Sequence, residues 1–384
     1  MQIEPRRFAE WTSRSVSAVW RAYDLQLTTY AALLGAVGLV MAYSNTVGDG
    51  TSLLASDSTF GRGLMWAGIA IVAFLAATAF DYRWLKTFRW PLYFGNLGLL
   101  VMTLAVGDGV GGAARWVALG PITFQFSELA KILMIAVLAA YLGSREGKLD
   151  SLVSILGACV LMGPAVLLVM LQPDLGTSLV FAAILAGMLF LSGANLLWLA
   201  VMGIAGLAGA AVSWAYVLRD YQKDRLVSFL DPAHDVHGSG WQLVQSQIAV
   251  GSGGLLGAGL TNGTQNRGEF LPVQESDFVA AVLFEELGFV GAILLFLLFG
   301  ALLWRIMASG WKSRDPFGTM FCAGLASALL FQMFVNLGMV IGIMPITGIP
   351  LPFISHGGAS LVSIALGLGL IQSINIRQHA RVDW

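Results

Sequence analysis

Charged residues are scarce in this chain. Only 11% of its 384 residues are Asp, Glu, Lys or Arg, whereas 57% are hydrophobic, and the mean hydropathy is +0.77. A soluble domain carries roughly 25% charged residues, so this chain cannot cover a surface that faces water. Its long apolar runs indicate an integral membrane protein built from α-helices rather than a barrel. The net charge of −1 also argues against a nucleic-acid partner.

Cysteine and phosphate-binding motifs are also nearly lacking. The 2 cysteines, Cys159 and Cys322, fall in apolar runs and are interpreted as small hydrophobic residues, not as a disulfide or a metal pair. No GxxxxGK[ST] loop occurs, so ATP is not expected as an energy source. The N-terminal arginines are spread over a polar region, which does not resemble a cleavable signal peptide.

Ten apolar segments are long enough to predict membrane helices, which gives an all-α polytopic fold with one domain over 1–384. The polar triplet Gln172-Pro173-Asp174 favours a turn that divides one long run into two helices. A large polar loop follows the seventh helix. The predicted helices are 24–45, 63–81, 88–107, 126–143, 151–170, 176–193, 195–218, 278–304, 317–342 and 357–375.

The distribution of basic residues predicts the orientation. Ten crossings place both termini, 1–23 and 376–384, on one side of the membrane, and that side holds most of the 21 lysine and arginine residues. Cytoplasmic segments carry such an excess, so both termini are predicted to be cytoplasmic. The polar insertions then lie outside, where any chemistry is expected. These insertions are 106–125, 171–176, 219–277 and 343–356.

Acidic residues cluster around the start of the eighth helix. Asp277 opens that helix, Glu269 and Glu275 precede it, and Glu285 and Glu286 lie within it. Ionisable residues at membrane depth are costly and indicate function by default. One acid of the cluster could serve as a general base, or several could bind a divalent cation such as Mg²⁺ or Mn²⁺. Helix capping by Asp277 is the structural alternative. The helical spacing places Glu285, but not Glu286, on the side of Asp277.

Glu128 and Lys131 form a second candidate site at the outer end of the fourth helix. Their i, i+3 spacing places both side chains on one face, where they can neutralise each other. This pair is either a structural link between helices or a site at which Lys131 faces a cavity and binds an anionic phosphate. Just upstream, Arg115 lies beside Trp116, as expected at a membrane surface.

Three further polar segments could contribute to a site. Asp174 is expected to cap the helix that follows it, with Gln172 beside it, or to contribute to a site. The loop that contains Ser355 and His356 is rich in proline and glycine, which predicts a rigid external segment. The stretch 240–260 begins as an amphipathic helix, expected on the membrane surface, and continues into glycines that allow tight turns or close approach to a ligand. The histidines of the large loop are interpreted as solvated rather than metal-binding; they are His234 and His237.

Taken in order, the polar motifs resemble those of the SEDS family (shape, elongation, division and sporulation), whose members polymerise peptidoglycan from lipid II. The resemblance covers residues 24–376, and the segments NGTQ, EFLP and TGIPLPF are closer to the rod-shape branch than to the division branch. The motifs that carry it are RWVALGPITFQFSELAK, QPDLGTS, QSQIAVGSGGLLGAGLTNGTQNRGEFLPVQESDF, EELGFVGA and PITGIPLPFISHGGAS.

The resemblance implies an inverting glycosyltransferase that joins lipid-linked disaccharide-pentapeptides into a nascent glycan strand outside the bacterial cytoplasmic membrane. It also implies a class B penicillin-binding protein, a transpeptidase, as partner within the elongation machinery. The essential aspartate of the family falls on Asp277, and its conserved Glu–Lys pair falls on Glu128 and Lys131. Its other polar elements fall on Arg115, Gln172, Asp174 and the loop at 355–358.

Three positions depart from the family pattern. The chain has Phe126 where the family has proline, His356 where it has tyrosine, and Glu275-Ser276 where it has His-Thr before the aspartate. Composition alone also allows two other functions: a transporter such as a lipid II flippase, or a non-catalytic scaffold for the penicillin-binding protein.

Overall fold

The computed structural model describes most of the chain and has a helix at each of the ten positions where a membrane helix was predicted. Their ends differ from the predicted ends by a few residues in most cases, and the eighth helix extends further than predicted. The described residues are 22–48, 52–53, 58–110, 113–119, 122–145, 151–216, 218–235, 238–264 and 277–379.

Thirteen α-helices and three short strands make up the described part. The helices are α1 (Leu25–Gly48), α2 (Thr59–Ala79), α3 (Arg83–Thr87), α4 (Arg89–Val106), α5 (Phe126–Gly143), α6 (Leu152–Leu171), α7 (Leu175–Leu191), α8 (Leu196–Tyr216), α9 (Asp220–Leu230), α10 (Ser239–Ser252), α11 (Val279–Lys312), α12 (Pro316–Val340) and α13 (Gly358–His379). Eight of these are long and apolar enough to cross a membrane. The shorter apolar helix α7 and helix α4 occupy the other two predicted positions.

Local sequence signals explain where several helices begin. The Ser58 hydroxyl accepts a hydrogen bond from Gly61 N and caps α2. The Asp315 carboxylate accepts one from Phe317 N, and Pro316 occupies the first turn of α12, where proline costs no hydrogen bond. These caps fix the helix ends within apolar surroundings, where unsatisfied backbone groups are costly.

The core of the bundle is formed by α5, α12 and α13, whose residues are mostly buried. Around them, many large apolar side chains are exposed, for example Ile71, Val160 and Ile204. In α8 no residue is buried at all. Such an inside-out exposure of apolar residues fits a surface covered by lipid, so the chain is a multi-pass membrane protein.

Ion pairs fasten one end of the bundle. Arg305 Nη2 of α11 lies 2.5 Å from Asp24 Oδ2, and Gln372 Nε2 of α13 donates to Asp24 O. These contacts join Asp24, Arg305 and Gln372 at one end of the bundle. The predicted topology also places these residues at one end, on the cytoplasmic side. Two further ion pairs join other segments of the same predicted side; they are Lys86–Asp315 and Asp81–Arg377.

A small antiparallel sheet lies within the polar insertion after α4. Its strands are β1 (Asp108–Val110), β2 (Ala113–Leu119) and β3 (Ile122–Phe124), in the order β1-β2-β3. The all-α prediction holds for the membrane-spanning part but missed this sheet. Short strands that pair with their sequence neighbours satisfy the backbone without a helix, and β2 contains the strand-favouring Trp116 and Val117.

Candidate functional site

The eighth membrane helix, α11, is broken at Gly288, whereas the sequence predicted a continuous helix. Gly288 has φ 64° and ψ −161°, outside helical values. The break leaves the carbonyls of Glu285 and Glu286 without helical partners, and they accept hydrogen bonds from Ala258 N and Gly259 N at 2.9 and 3.0 Å. The loop after α10 that contains Ala258 and Gly259, the glycine loop, therefore completes the hydrogen bonding of the helix on one side of the break.

The same loop also serves the other side of the break. Phe289 N and Val290 N donate to the carbonyls of Gly254 and Leu255 at 2.9 and 3.1 Å. A Cβ on Gly253 would lie 2.0 Å from Phe284 O, so only glycine permits this approach. The glycines predicted to approach a ligand thus approach the backbone of α11 instead.

We expect Gly288→Ala to lower the free energy of unfolding by about 2–3 kcal/mol, because alanine disfavours positive φ and overpacks the loop. Its Cβ would lie 2.3 Å from Gly257 N. Gly251→Ala is the matched control, since Gly251 is helical and a Cβ there meets nothing within 4 Å. Unfolding in detergent should show a loss only for Gly288→Ala; equal stability of both variants would contradict this account.

Helix α10, which leads into the glycine loop, is polar on its buried side. Gln245 and Ser246 are buried, and the Ser246 hydroxyl donates to Val340 O at 2.9 Å. Trp241 and Ile248 are exposed on the other side. In the following loop, Leu255 and Leu256 are 72% and 79% exposed. An exposed apolar face of this kind fits lipid rather than water, as predicted for a helix on the membrane surface, and the helix and its loop pack against α11.

Arg115, a predicted site residue, joins three segments at the outer end of the bundle. From β2, its Nε donates to the Gln172 carbonyl at 3.3 Å, and its Nη2 donates to the Pro173 carbonyl and, at 3.2 Å, to the Tyr221 hydroxyl. The Tyr221 hydroxyl and Gln222 Nε2 of α9 also donate to the Pro173 carbonyl. The turn at Pro173 thus fixes both Arg115 and α9.

Arg225 connects this cluster to Asp277. Its guanidinium lies 5.9 Å from the centre of the Tyr221 ring. At Gly348, an added Cβ would lie 3.4 Å from Arg225 Nη1 and 3.7 Å from Asp277 Oδ2. Arg225 and Asp277 therefore both lie close to Gly348. Tyr221 and Arg225, which the sequence reasoning did not single out, lie between two predicted residues, Arg115 and Asp277.

Asp277 is held by its backbone and does not cap α11. The N-cap position is Phe278, which is buried, and that helix end has no side-chain cap hydrogen bond. The buried Asn336 amide donates to the carbonyls of Asp277 and Ile349 at 3.0 and 2.8 Å. Asp277 is therefore not the N-cap residue of α11, and its carboxylate lies close to Gly348.

Glu285 and Glu286 lie on different sides of α11, as their spacing predicts, and both are buried. Glu285 Oε1 accepts from the backbone N and the hydroxyl of Thr264 at 2.7 and 2.9 Å. Glu286 Oε1 accepts from the Ser44 hydroxyl of α1 at 2.5 Å. Both acids thus anchor neighbouring segments to the broken helix, and these contacts tie Glu285 to the start of the segment that leads to Asp277.

Glu128 and Lys131 form the ion pair that the sequence predicted. Lys131 Nζ donates to Glu128 Oε1 at 2.8 Å, and the two side chains are only 4–5% exposed. Burial of Lys131 within this pair favours the structural interpretation over an open phosphate site.

Gln172 and Asp174 have structural roles of their own. Gln172 Nε2 donates to the Leu100 carbonyl of α4 at 2.9 Å. Asp174 caps α7, as predicted, because its carboxylate accepts from the backbone N and the hydroxyl of Thr177. It also accepts from Gln125 Nε2 at 3.0 Å. These bonds hold the turn whose carbonyls position Arg115.

Ser355 and His356 border a different space. The Ser355 hydroxyl accepts from Leu351 N at 2.7 Å, within its own loop. Both residues line the outer end of an apolar groove of about 420 Å³ between α1, α2 and α13. This groove does not include Asp277, so it is not the charged site. His356, where the family has tyrosine, therefore departs from the family pattern at the end of an apolar groove.

Some of the predicted site residues lie outside the part of the chain that the structure describes. Glu269 lies outside the described residues, as do Glu275-Ser276. Among the residues that are described, no group of three or more His, Cys, Asp or Glu side chains could hold a metal ion. Phe126 begins α5, and its ring packs edge-to-face on Phe124 at 5.3 Å between centroids. Cys159 and Cys322 are free, as predicted.

Sequence reasoning missed Tyr221 and Asn336, and it counted Arg225 only among the arginines of the large loop. The signal for Tyr221 and Arg225 was their i, i+4 spacing in a polar segment, which places an aromatic ring and a guanidinium on one helix face. For Asn336, the signal was a lone amide in an apolar helix, since buried amides require partners.

The fold and the site define a multi-pass α-helical membrane protein with a charged site at one end of its bundle. Residues 24–380 match the family of cell cycle proteins that comprises FtsW, RodA and SpoVE. The chain belongs to this family, which is the SEDS family that its motifs resemble.

Relatives of known name come from several branches of the family. The chain is 35% identical over 366 residues to stage V sporulation protein E of Bacillus subtilis (strain 168), covering 93% of this chain and 98% of the relative. It is 40% identical over 284 residues to peptidoglycan glycosyltransferase MrdB of Escherichia coli (strain K12), covering 74% and 76%.

Solved structures show the same fold. A chain of a peptidoglycan synthase complex, described as coordinating polymerization and crosslinking, matches with a TM-score of 0.76 and 34% identity, covering 93% of this chain and 98% of that one. The rod shape determining protein RodA of Thermus thermophilus matches with a TM-score of 0.69 and 30% identity, covering 94% and 98%.

Proposed function

We propose that this protein is a peptidoglycan glycosyltransferase that polymerises lipid II into β-1,4-linked glycan strands at the outer face of the bacterial cytoplasmic membrane. One observation carries the proposal: a carboxylate, Asp277, and a guanidinium, Arg225, both lie close to Gly348 at the predicted outer end of the bundle. A carboxylate and a cation are the two groups that glycosyl transfer to a lipid-linked acceptor requires. The relatives named as peptidoglycan glycosyltransferases support the same reaction.

The proposed step is an inverting displacement at the anomeric carbon of the donor sugar, which is α-linked to undecaprenyl pyrophosphate. Asp277 accepts the proton of the acceptor 4-hydroxyl, and the hydroxyl oxygen forms the new β bond. The bond from the anomeric carbon to the pyrophosphate oxygen breaks, and its electron pair leaves with the pyrophosphate. A nearby cation stabilises the developing negative charge.

We further propose a role in elongation and rod shape, together with a class B penicillin-binding protein. The motifs NGTQ, EFLP and TGIPLPF support the rod-shape branch, and the similar chain from a complex that coordinates polymerization and crosslinking supports a transpeptidase partner. The basic residues support cytoplasmic termini.

Expression of this protein in cells depleted of their elongation polymerase tests the proposed role in elongation. We expect it to restore the rod shape; restoration of septation alone would assign the division role instead.

A lipid II flippase is the second candidate, because broken membrane helices and buried charges also occur in transporters. The break at Gly288 and the buried Glu128–Lys131 pair are such features. The glycine loop completes the hydrogen bonding at the break, and Glu128 and Lys131 neutralise each other. Neither feature therefore requires a transport pathway, and we favour the enzyme.

Purified protein in liposomes with fluorescent lipid II separates these functions. We expect glycan chains that a muramidase degrades. Movement of lipid II between leaflets without longer glycan would contradict the enzyme and support the flippase. If glycan forms only when a partner polymerase is added, and this protein does not change the partner's rate of polymerisation, the scaffold function would be supported.

A further inference from the structure

We propose that the apolar groove between α1, α2 and α13 binds a phospholipid of the outer leaflet, with one acyl chain in the groove and the phosphodiester at its outer end. The groove has a volume of about 420 Å³, which is within the usual range for ligand cavities. It does not include Asp277, so its ligand is separate from the substrates of the proposed reaction.

Small residues on two of the helices open the groove. Gly35 of α1 and Ala67 and Ala70 of α2 line it, and a Cβ added to Gly35 would meet nothing within 4 Å. Ile71 and Leu75 also line the groove and are 61% and 58% exposed, so it opens to the lipid-covered surface of the bundle. Because an apolar space that opens to lipid is filled by hydrocarbon rather than water, a lipid chain is the expected occupant.

Polar groups lie only towards the two ends of the lining. Tyr23 and Thr28 lie at the predicted cytoplasmic end, and Ser355 and His356 at the outer end. Thr28 and Ala42 both line the groove, and α1 rises about 21 Å between them. This is more than half of the roughly 30 Å hydrocarbon core. The length and the lining fit a hydrocarbon chain that runs along the helices, whereas a polar ligand would lose its hydration there.

The parallel packing of α2 and α13 sets the direction of the lipid. An added Cβ at Gly358 would contact the Trp66 ring, and one at Gly369 would lie 2.7 Å from Ala77 Cβ, so the two helices run in the same direction. Both begin at the outer end of the groove, and helix N-termini carry partial positive charge. The His356 imidazole, a hydrogen-bonding group, lies at this end. A phosphodiester is therefore favoured there, with its acyl chain directed inward.

Photocrosslinking of the full chain in detergent, with a small excess of phosphatidylglycerol that carries a diazirine in one acyl chain, tests the site. A diazirine close to the glycerol should label the outer part of the groove, near Leu361. A diazirine at the methyl end should label the inner part, near Phe74. Labelling spread evenly over the surface of the bundle, or the reverse order along the groove, would overturn the proposal.

Gly35→Leu should reduce labelling in the groove by about tenfold or more, because its side chain occupies the space of several methylene groups of the ligand. Gly63→Leu fills the outer end, where an added Cβ makes ordinary contacts of 3.5–3.6 Å, and should have the same effect. Gly68→Leu is the matched control. Gly68 lies on α2 outside the groove, and a Cβ there also meets nothing within 4 Å.

The control should label within about twofold of wild type, as for other surface substitutions. Added phosphatidylglycerol should raise the Tm of wild type and of Gly68→Leu but not that of Gly35→Leu, which also shows that each variant is folded. Wild-type labelling of folded Gly35→Leu, or an equal loss in Gly68→Leu, would overturn the site.

Competition by unlabelled lipids identifies the occupant. Phosphatidylglycerol should displace the labelled lipid, and undecaprenyl phosphate should displace it less well, because the methyl branches of an isoprenoid chain widen it beyond an unbranched acyl chain. Stronger displacement by undecaprenyl phosphate would assign the groove to an isoprenoid chain and overturn the phospholipid site.

Discussion

Asp277→Asn is expected to lower the rate of glycan polymerisation by about 10²- to 10⁴-fold, the usual contribution of a general base. Asparagine keeps the size and shape of the side chain but cannot accept the proton of the acceptor hydroxyl. The fold should persist, because Asp277 does not cap α11 and the Asn336 amide bonds to its backbone carbonyl, which the substitution retains. Initial rates with purified lipid II measure the effect.

The matched control is Asp224→Asn, which removes an exposed acid from α9 and should retain the wild-type rate. Asp277→Glu keeps the base but displaces it, and we expect a rate between those of the wild type and Asp277→Asn. Polymerisation by Asp277→Asn at more than a tenth of the wild-type rate would exclude Asp277 as the base.

Lys131→Met is expected to lower the free energy of unfolding by about 3–5 kcal/mol, because it leaves the buried Glu128 carboxylate uncompensated. Glu128→Gln should have a similar effect through Lys131. The reason lies in the burial of both side chains and in their 2.8 Å hydrogen bond. Glu128 Oε2 already has no hydrogen-bond partner within the described structure, so the carboxylate depends on Lys131.

The double variant Glu128→Gln/Lys131→Met should be more stable than either single variant, because it leaves no lone buried charge. Unfolding of all four proteins in detergent gives the coupling energy, and additive losses would contradict the pair. Polymerisation by the double variant then decides the remaining question. Activity near wild type would confirm a structural link, whereas a stable but inactive double variant would show that Lys131 acts on the substrate.

The ten membrane helices could be predicted because the bilayer imposes a length and an apolar composition on each crossing. Asp174 as a cap and Glu128–Lys131 as a pair could also be predicted, since each depends on two residues three apart in the chain. Local spacing is enough for such contacts, and the structure shows each of them.

The broken helix could not be read in the same way. EELGFVGA is apolar enough to continue as a helix, and the break at Gly288 is stabilised by backbone hydrogen bonds from a loop about thirty residues earlier. The glycines of that loop carry no side chain that would reveal their partner. Their sequence indicated close approach, but the partner was α11 and not a ligand.

The site itself depends on contacts between distant segments. The Pro173 turn positions Arg115 and Tyr221, and Asn336 holds the backbone of Asp277. Ser355 and His356 were grouped with them from the family pattern, yet they line the apolar groove between α1, α2 and α13. The family motifs therefore did not predict which cavity or site each of these side chains contacts in the fold.

An experimental structure of the Asp277→Asn protein with bound lipid II tests the central claim most directly. The account predicts the reacting sugar beside residue 277, within hydrogen-bonding distance, and the diphosphate beside Arg225. A headgroup bound at Ser355 and His356, or at the end of the bundle held by Asp24 and Arg305, would contradict it.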